Sequence, residues 1–179
     1  ILHRATKDLL ALADELQIAL DTAPLRAALA RTEAAAPRLW SDALGLYTNL
    51  DLVSGALIEQ PVHGGFLSWY AGIDSPTQAR TLAAWLDEAP FGVPSTRVGA
   101  SAFEAQRYWR GPVWQHMNLL IEAGLRERGE SALADRVRAS SLALFDASGF
   151  HEYYDPLTGA GLGGTTFSWT AASWLHLQG

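Results

Sequence analysis

The sequence predicts an all-α fold, read as part of an α/α six-fold toroid with small β-hairpins in its loops. Three observations carry the helical part of that reading. Apolar residues recur at helical spacing in most long segments. The helical segments come in pairs separated by Pro- and Gly-rich breaks. And no alternation of strand and helix occurs, which disfavours a Rossmann-like sheet. Self-similarity at a fixed period of 34 or 40 residues is also missing, which argues against a regular solenoid.

The elements follow in order. From Thr6 to Leu20, Leu9, Leu12, Ala13, Leu16, Ala19 and Leu20 make one helical stripe. Asp21-Thr22-Ala23-Pro24 breaks it, and a second helix is expected from Pro24 to Ala35, with proline in its first turn. Leu46, Thr48, Leu50 and Leu52 alternate before Ser54-Gly55, a small hairpin. Phe66 to Ala71 reads as a short helix stopped by Gly72. Ser75-Pro76-Thr77-Gln78 has the form of a helix start, with serine as cap and glutamine three residues on, and that helix ends near Asp87. Pro90 and Pro94 mark a loop. A helix opened by Gly111-Pro112 carries Val113, Met117, Leu120, Ile121, Gly124 and Leu125 and stops at Gly129. Another runs from Ser131 to about Ala147, and a last one from Ser168 to Leu177. Residues 148–161 form a loop or short hairpin, and the glycine-rich residues 159–167 a flexible connection without the lysine of a phosphate-binding loop.

Composition limits the function. The 179 residues suffice for one domain with a sizeable core, and the balance of 49% apolar to 18% charged residues is that of a globular protein. The formal charge of −6 speaks against a nucleic-acid partner. There is no cysteine, which removes disulfides and thiolate metal sites and suits a reducing, cytoplasmic setting. No apolar run is long enough for a membrane span, and no leader is visible. The start at Ile1, inside a helical pattern, reads as a piece of a longer protein.

Two clusters could carry chemistry. In "RYWRGPVWQ", residues 107–115, Tyr108, Trp109 and Trp114 surround Arg110-Gly111-Pro112. Such rings offer apolar faces with polar edges, the surface on which sugar C–H faces stack. Buried core is the competing reading for each tryptophan. Arg110 could clamp an anion, but stacking on a ring or pairing with an internal carboxylate is favoured. In "SGFHEYYDPLTGAG", residues 148–161, Glu152 stands between His151 and two tyrosines, and a Pro/Gly turn follows. A carboxylate among rings suits general acid/base chemistry, whereas a loop glutamate is otherwise simply solvated. His63, His116 and His151 lack metal-ligand spacing, so no zinc site is expected. Asp51 reads as the cap of its own turn.

Taken together, "YWRGPVW" (residues 108–114), "FHEYYDPLTGAG" (150–161) and "FSWTAA" (167–172) closely resemble the C-terminal half of glycoside hydrolase family 63, nearest to its mannosylglycerate and glucosylglycerate hydrolases. "LYTNLDLVSG", "YAGIDSPTQARTLAAWL" and "FGVPS" agree with that pattern, so the resemblance covers residues 40 to 175. It implies a barrel of six helix pairs that hydrolyses α-glycosidic bonds with inversion, and it makes residues 1–179 the C-terminal portion of one catalytic domain. Glu152 matches the family's general base, and Tyr108, Trp109 and Trp114 match the rings lining its sugar site. The general acid, an aspartate, is expected upstream in the other half of the barrel, which would be this chain's partner and would hold most of the substrate's carboxylate. No cofactor or metal is implied, and homo-oligomerisation is left open. The rival readings are another inverting α-barrel glycosidase, trehalase- or α-glucosidase-like, and a non-catalytic sugar-binding helical module.

Overall fold

The computed structural model describes residues 1–75 and 77–178. Seven α-helices are present among them: α1 (Leu2–Glu15), α2 (Ala23–Ala35), α3 (Leu67–Tyr70), α4 (Gln78–Glu88), α5 (Gln115–Glu127), α6 (Ser131–Ser148) and α7 (Ser168–Gln178). They pack as neighbours, α1 on α2, α4 on α6, and α5 on α3, α6 and α7. Three two-stranded antiparallel ladders lie in the connections: β1 (Trp40–Ser41) with β2 (Leu46–Tyr47), β3 (Asn49–Leu50) with β4 (Leu57–Ile58), and β5 (His151–Tyr154) with β6 (Gly161–Thr165). The expected helix-pair architecture with hairpins in its loops is therefore what the chain forms.

The main core lies where α4, α5 and α6 converge. Leu82, Trp85 and Leu86 of α4 meet Ile121 and Leu125 of α5, Ala134 and Val137 of α6, and Phe66 and Trp69 beside them. Trp69 and Trp85 both pack on the Phe66 ring, one stacked and one edge-on. Helix α5 approaches the α3 backbone closely because residue 124 is glycine. A Cβ there would stand 2.5 Å from the Tyr70 nitrogen.

Several boundaries differ from expectation, each for a physical reason. Helix α1 ends at Glu15 rather than Leu20, since Gln17 enters the left-handed region at φ 54° and the chain turns away. It buries His3, Leu10 and Ala13 and leaves Leu9 and Leu12 exposed, as is Leu16 just beyond its end, so only Ala13 of the expected stripe is buried. The residues around Leu46 to Gly55 build two ladders, not one hairpin, although the Ser54-Gly55 turn is present. Asp51 closes it, accepting from the Val53 amide (2.9 Å) and the Ser54 hydroxyl (2.6 Å). These bonds to the charged form lower its pKa.

Ser75 does not cap α4. Thr77 occupies the cap position, and the Ser75 hydroxyl is buried without a hydrogen-bond partner among the described residues. The expected role of Pro76 lies outside the described residues. Gln78 turns inward instead of back to the helix start. Its amide donates to the Gly65 carbonyl (2.7 Å) and accepts from Ser68 (2.9 Å). Helix α5 begins at Gln115, because Val113 is drawn into bridges with Pro94 and Tyr154. The glycine-rich residues 159–167 are not a flexible connection: most of them form β6, paired with β5.

Candidate active site

The two clusters singled out in the sequence are joined by main chain. The Val113 amide donates to the Tyr154 carbonyl (2.8 Å), and the Tyr154 amide returns the bond to Val113 (3.0 Å). Val113 and Tyr154 are also buried together with Leu144, against Phe91. The Tyr154 hydroxyl donates to the Gly149 carbonyl (2.5 Å) and accepts from the His151 amide (3.0 Å), closing α6 onto β5. Burial pushes its phenol up to about 12, so it stays a donor.

The rings form one continuous stack. Trp109 and Trp114 are parallel, 4.1 Å apart at 5°. Tyr108 meets Trp114 edge-on at 5.0 Å, and Tyr153 stacks on Trp114 at 4.9 Å. The Trp114 indole N–H donates to the Tyr108 carbonyl (3.1 Å). Tyr108 sits at φ 40°, a strained conformation for a bulky residue that its surroundings must hold. Tyr108 and Trp109 are exposed, whereas Trp114 has no exposed surface. In this structure Trp114 therefore lies beneath the platform and supports the exposed rings, instead of presenting a face itself as the sequence leads one to expect.

Glu152 lies on β5, half-buried, and its Oε2 accepts from the Gly164 amide (3.2 Å). Gly163, at φ 70°, makes room for it. A Cβ at 163 would stand 2.6 Å from that oxygen and 2.7 Å from the Tyr153 ring. The carboxylate thus lies beside Tyr153 at the margin of the stack. Gly164 likewise leaves room for the Phe167 ring, which a Cβ there would meet at 3.1 Å, and Phe167 continues to Trp169 at 4.9 Å.

Four ring residues join the site without having been assigned from the sequence. Tyr153 and Trp169 sit inside the quoted motifs, so their type is the available signal. His63 and His116 give none, because their approach to Trp109, at 5.8 and 6.1 Å, depends on tertiary packing. Burial, and next His116, lowers the His63 pKa to about 3, and burial lowers that of His116. Both imidazoles are thereby biased toward their neutral forms. Arg110 takes the structural role. Its Nη2 pairs with Glu104 (2.9 Å) and its Nε donates to the Ala102 carbonyl (3.1 Å).

A cavity of about 450 Å3 lies between α1, α2 and the segments around Leu39 and Ile73, a second of about 490 Å3 lies between α2 and those segments, and none of the candidate residues lines either. The platform opens instead on the surface of these residues, and the arrangement suits a ring-lined floor with one carboxylate at its edge.

The chain belongs to the mannosylglycerate hydrolase MGH1-like glycoside hydrolase domain family, whose model matches residues 1–170. It is 42% identical to mannosylglycerate hydrolase MGH1 of Selaginella moellendorffii over 98% of this chain and 37% of that protein. It is 43% identical to a mannosylglycerate hydrolase of Thermus thermophilus over 96% of this chain and 42% of that protein. A glucosylglycerate hydrolase of Mycolicibacterium hassiacum matches 49% of the chain at 38% identity. The glucose complex of the family 63 mannosylglycerate hydrolase from a second Thermus thermophilus strain superposes with a TM-score of 0.89 at 42% identity, covering 98% of this chain and 45% of that one. The chain thus spans about two fifths of its relatives' length, and its fold is that of one part of an α/α toroid.

Proposed function

We propose that this chain supplies the ring-lined floor and the general base of an inverting glycoside hydrolase acting on a glycosyl-glycerate. The observation that carries the proposal is the placement of Glu152. Its carboxylate is fixed by a backbone amide at the edge of the stack that exposes Tyr108 and Trp109. The names of the relatives favour mannosylglycerate, since those matched over nearly the whole chain carry that name and the glucosylglycerate hydrolase matches about half of it. Glucosylglycerate stays as the second substrate.

In the proposed reaction, the sugar ring lies on Tyr108 and Trp109, with Trp114 and Tyr153 behind them. Ionised Glu152 takes a proton from a water that attacks the anomeric carbon. An aspartic acid from the other half of the barrel protonates the leaving glycerate oxygen from the opposite side. The two carboxyls would stand roughly 6.5–9.5 Å apart, leaving room for the water. The leucines left exposed on α1 would be covered by that other half, and the cysteine-free composition suits the cytoplasm.

The test is hydrolysis of mannosylglycerate, glucosylglycerate and trehalose by the full-length protein, followed by proton NMR. Early accumulation of the β-anomer of the sugar from either α-linked glycosyl-glycerate supports inversion, and early accumulation of its α-anomer overturns it. Glu152→Gln should lower kcat by about 10²–10⁴-fold with little change in KM. Near-normal turnover would overturn the assignment of the base.

A further inference from the structure

We infer that the hydrogen bond between Gln106 and Asp155 is a positioning device that sets the sugar-facing rings in register with Glu152. The inference rests on the function proposed above, but the contact and its consequence for the loop stand by themselves.

Asp155 is 3% exposed and follows β5, three residues beyond Glu152. Its two carboxylate oxygens face different parts of the molecule. Oδ1 accepts from the Leu157 (2.9 Å) and Thr158 (3.2 Å) amides and so shapes the hairpin turn. The main chain of Asp155 is closed as well, to Ala160 and Gly159 at 2.9 Å each. Oδ2 points out of the hairpin and accepts from the Gln106 side-chain amide at 3.0 Å. A buried, charged acceptor makes this bond stronger than a neutral one.

Gln106 stands two residues before Tyr108, in a turn closed by Glu104. The Arg107 amide donates to the Glu104 carbonyl (3.0 Å), and the Glu104 amide to the Arg110 carbonyl (2.7 Å). The side chains of Arg107 and Arg110 both reach the Glu104 carboxylate. Gly111 and Trp109 are tied to Ser95 and Thr96, not to the hairpin. Besides the packing of Tyr108 and Trp114 on Tyr153, the aromatic motif meets the Glu152 hairpin at two hydrogen-bonded attachments. The Val113–Tyr154 pair holds its far end, and Gln106–Asp155 holds its near end. Between them lies Tyr108 in its left-handed conformation, which persists only where both sides are held. Cutting the near attachment frees the exposed rings to drift relative to Glu152, and a displacement of about 1 Å at a reacting centre can cost 10²-fold in rate.

The test uses the full-length protein with three variants: Gln106→Ala, Gln106→Glu, and Gln106→Glu combined with Asp155→Asn. The first removes the donor. The second sets a carboxyl against a carboxyl. The third exchanges donor and acceptor, so the asparagine amide donates to the new glutamate while its oxygen still serves the turn. With the better of the two glycosyl-glycerates, both single variants should lose at least about tenfold in kcat with KM changed less. The melting temperature should fall by a few degrees in the single variants, and the double variant should regain most of both losses. Hydrogen exchange at the amides of residues 107 and 110 should quicken in the single variants and return in the double variant. Unchanged kcat in the single variants, or failure of the double variant to recover, overturns the inference. Exchange is read without substrate, so it decides even for a protein that cleaves neither glycoside: unchanged exchange overturns the coupling, and quickened exchange supports it while the substrate reading falls alone.

Discussion

The indole of Trp114 lies parallel beneath that of Trp109 at 4.1 Å, and only the upper ring meets the surface. Two tryptophans of one motif therefore have different duties. Trp114→Ala should remove a fully buried ring and cost about 3–5 kcal/mol of stability. Trp109→Ala should cost well under half of that and act instead on KM for the glycoside. Urea unfolding and steady-state kinetics on the same two variants separate the effects. Equal destabilisation by both would contradict the division.

Gly163→Ala is predicted to disable catalysis without unfolding the protein. The added methyl would press on Glu152 Oε2 and the Tyr153 ring, at a backbone angle that L-residues seldom adopt. The stability loss should be about 1 kcal/mol or somewhat more. The fall in kcat should be larger, on the order of 10²-fold, because the carboxylate itself moves. A variant with unchanged kcat would show that Glu152 is not held where the glycine leaves room.

What can be read from the sequence follows from the range of the interactions. Helices α4, α6 and α7 are legible within one or two residues, since periodicity and breakers act locally. The start of α5 is not, because Val113 pairs with Tyr154, a partner 41 positions away that no local rule sees. Strand β6 reads as flexible because its glycines have no strand propensity. They serve instead to admit Glu152, Tyr153 and the Phe167 ring. Of the site, Glu152 and the rings of the aromatic motif stand out as candidates by residue type, and the family resemblance gives them their expected roles. The burial of Trp114 and the approach of two histidines cannot be read in this way, since both depend on how α5 packs.

Stability should fall in acid partly through His63. Its folded pKa of about 3 lies below the ordinary 6.5, so the unfolded chain binds the extra proton across that interval. The contribution is full above pH 6.5 and is lost as pH falls toward 3. His116, lowered by burial, acts in the same direction. Urea midpoints measured from pH 7 to pH 4 should therefore decline less steeply for His63→Gln than for the parent. Parallel declines would remove His63 as a contributor.

Gly124→Val should be among the most damaging single changes in α5. Its side chain would enter the space now taken by the Tyr70 and Trp69 backbone, where even a Cβ would be 2.5 Å from a nitrogen. Overpacking of this kind costs about 1–3 kcal/mol. The denaturation midpoint reads it, and kcat per folded molecule should change little, because the site lies at the other end of the helix. A midpoint within error of the parent would show that α3 yields freely.

The paired amide bonds between Val113 and Tyr154 have a mechanical consequence. They couple the segment that carries Trp114 to the strand that bears Glu152, so that the two move together at this point. Motion of α5 or α6 is then shared by both, and the Gln106–Asp155 bond extends that coupling to the exposed rings. Whatever lies opposite can approach or retreat without changing how Glu152 is set against Trp114.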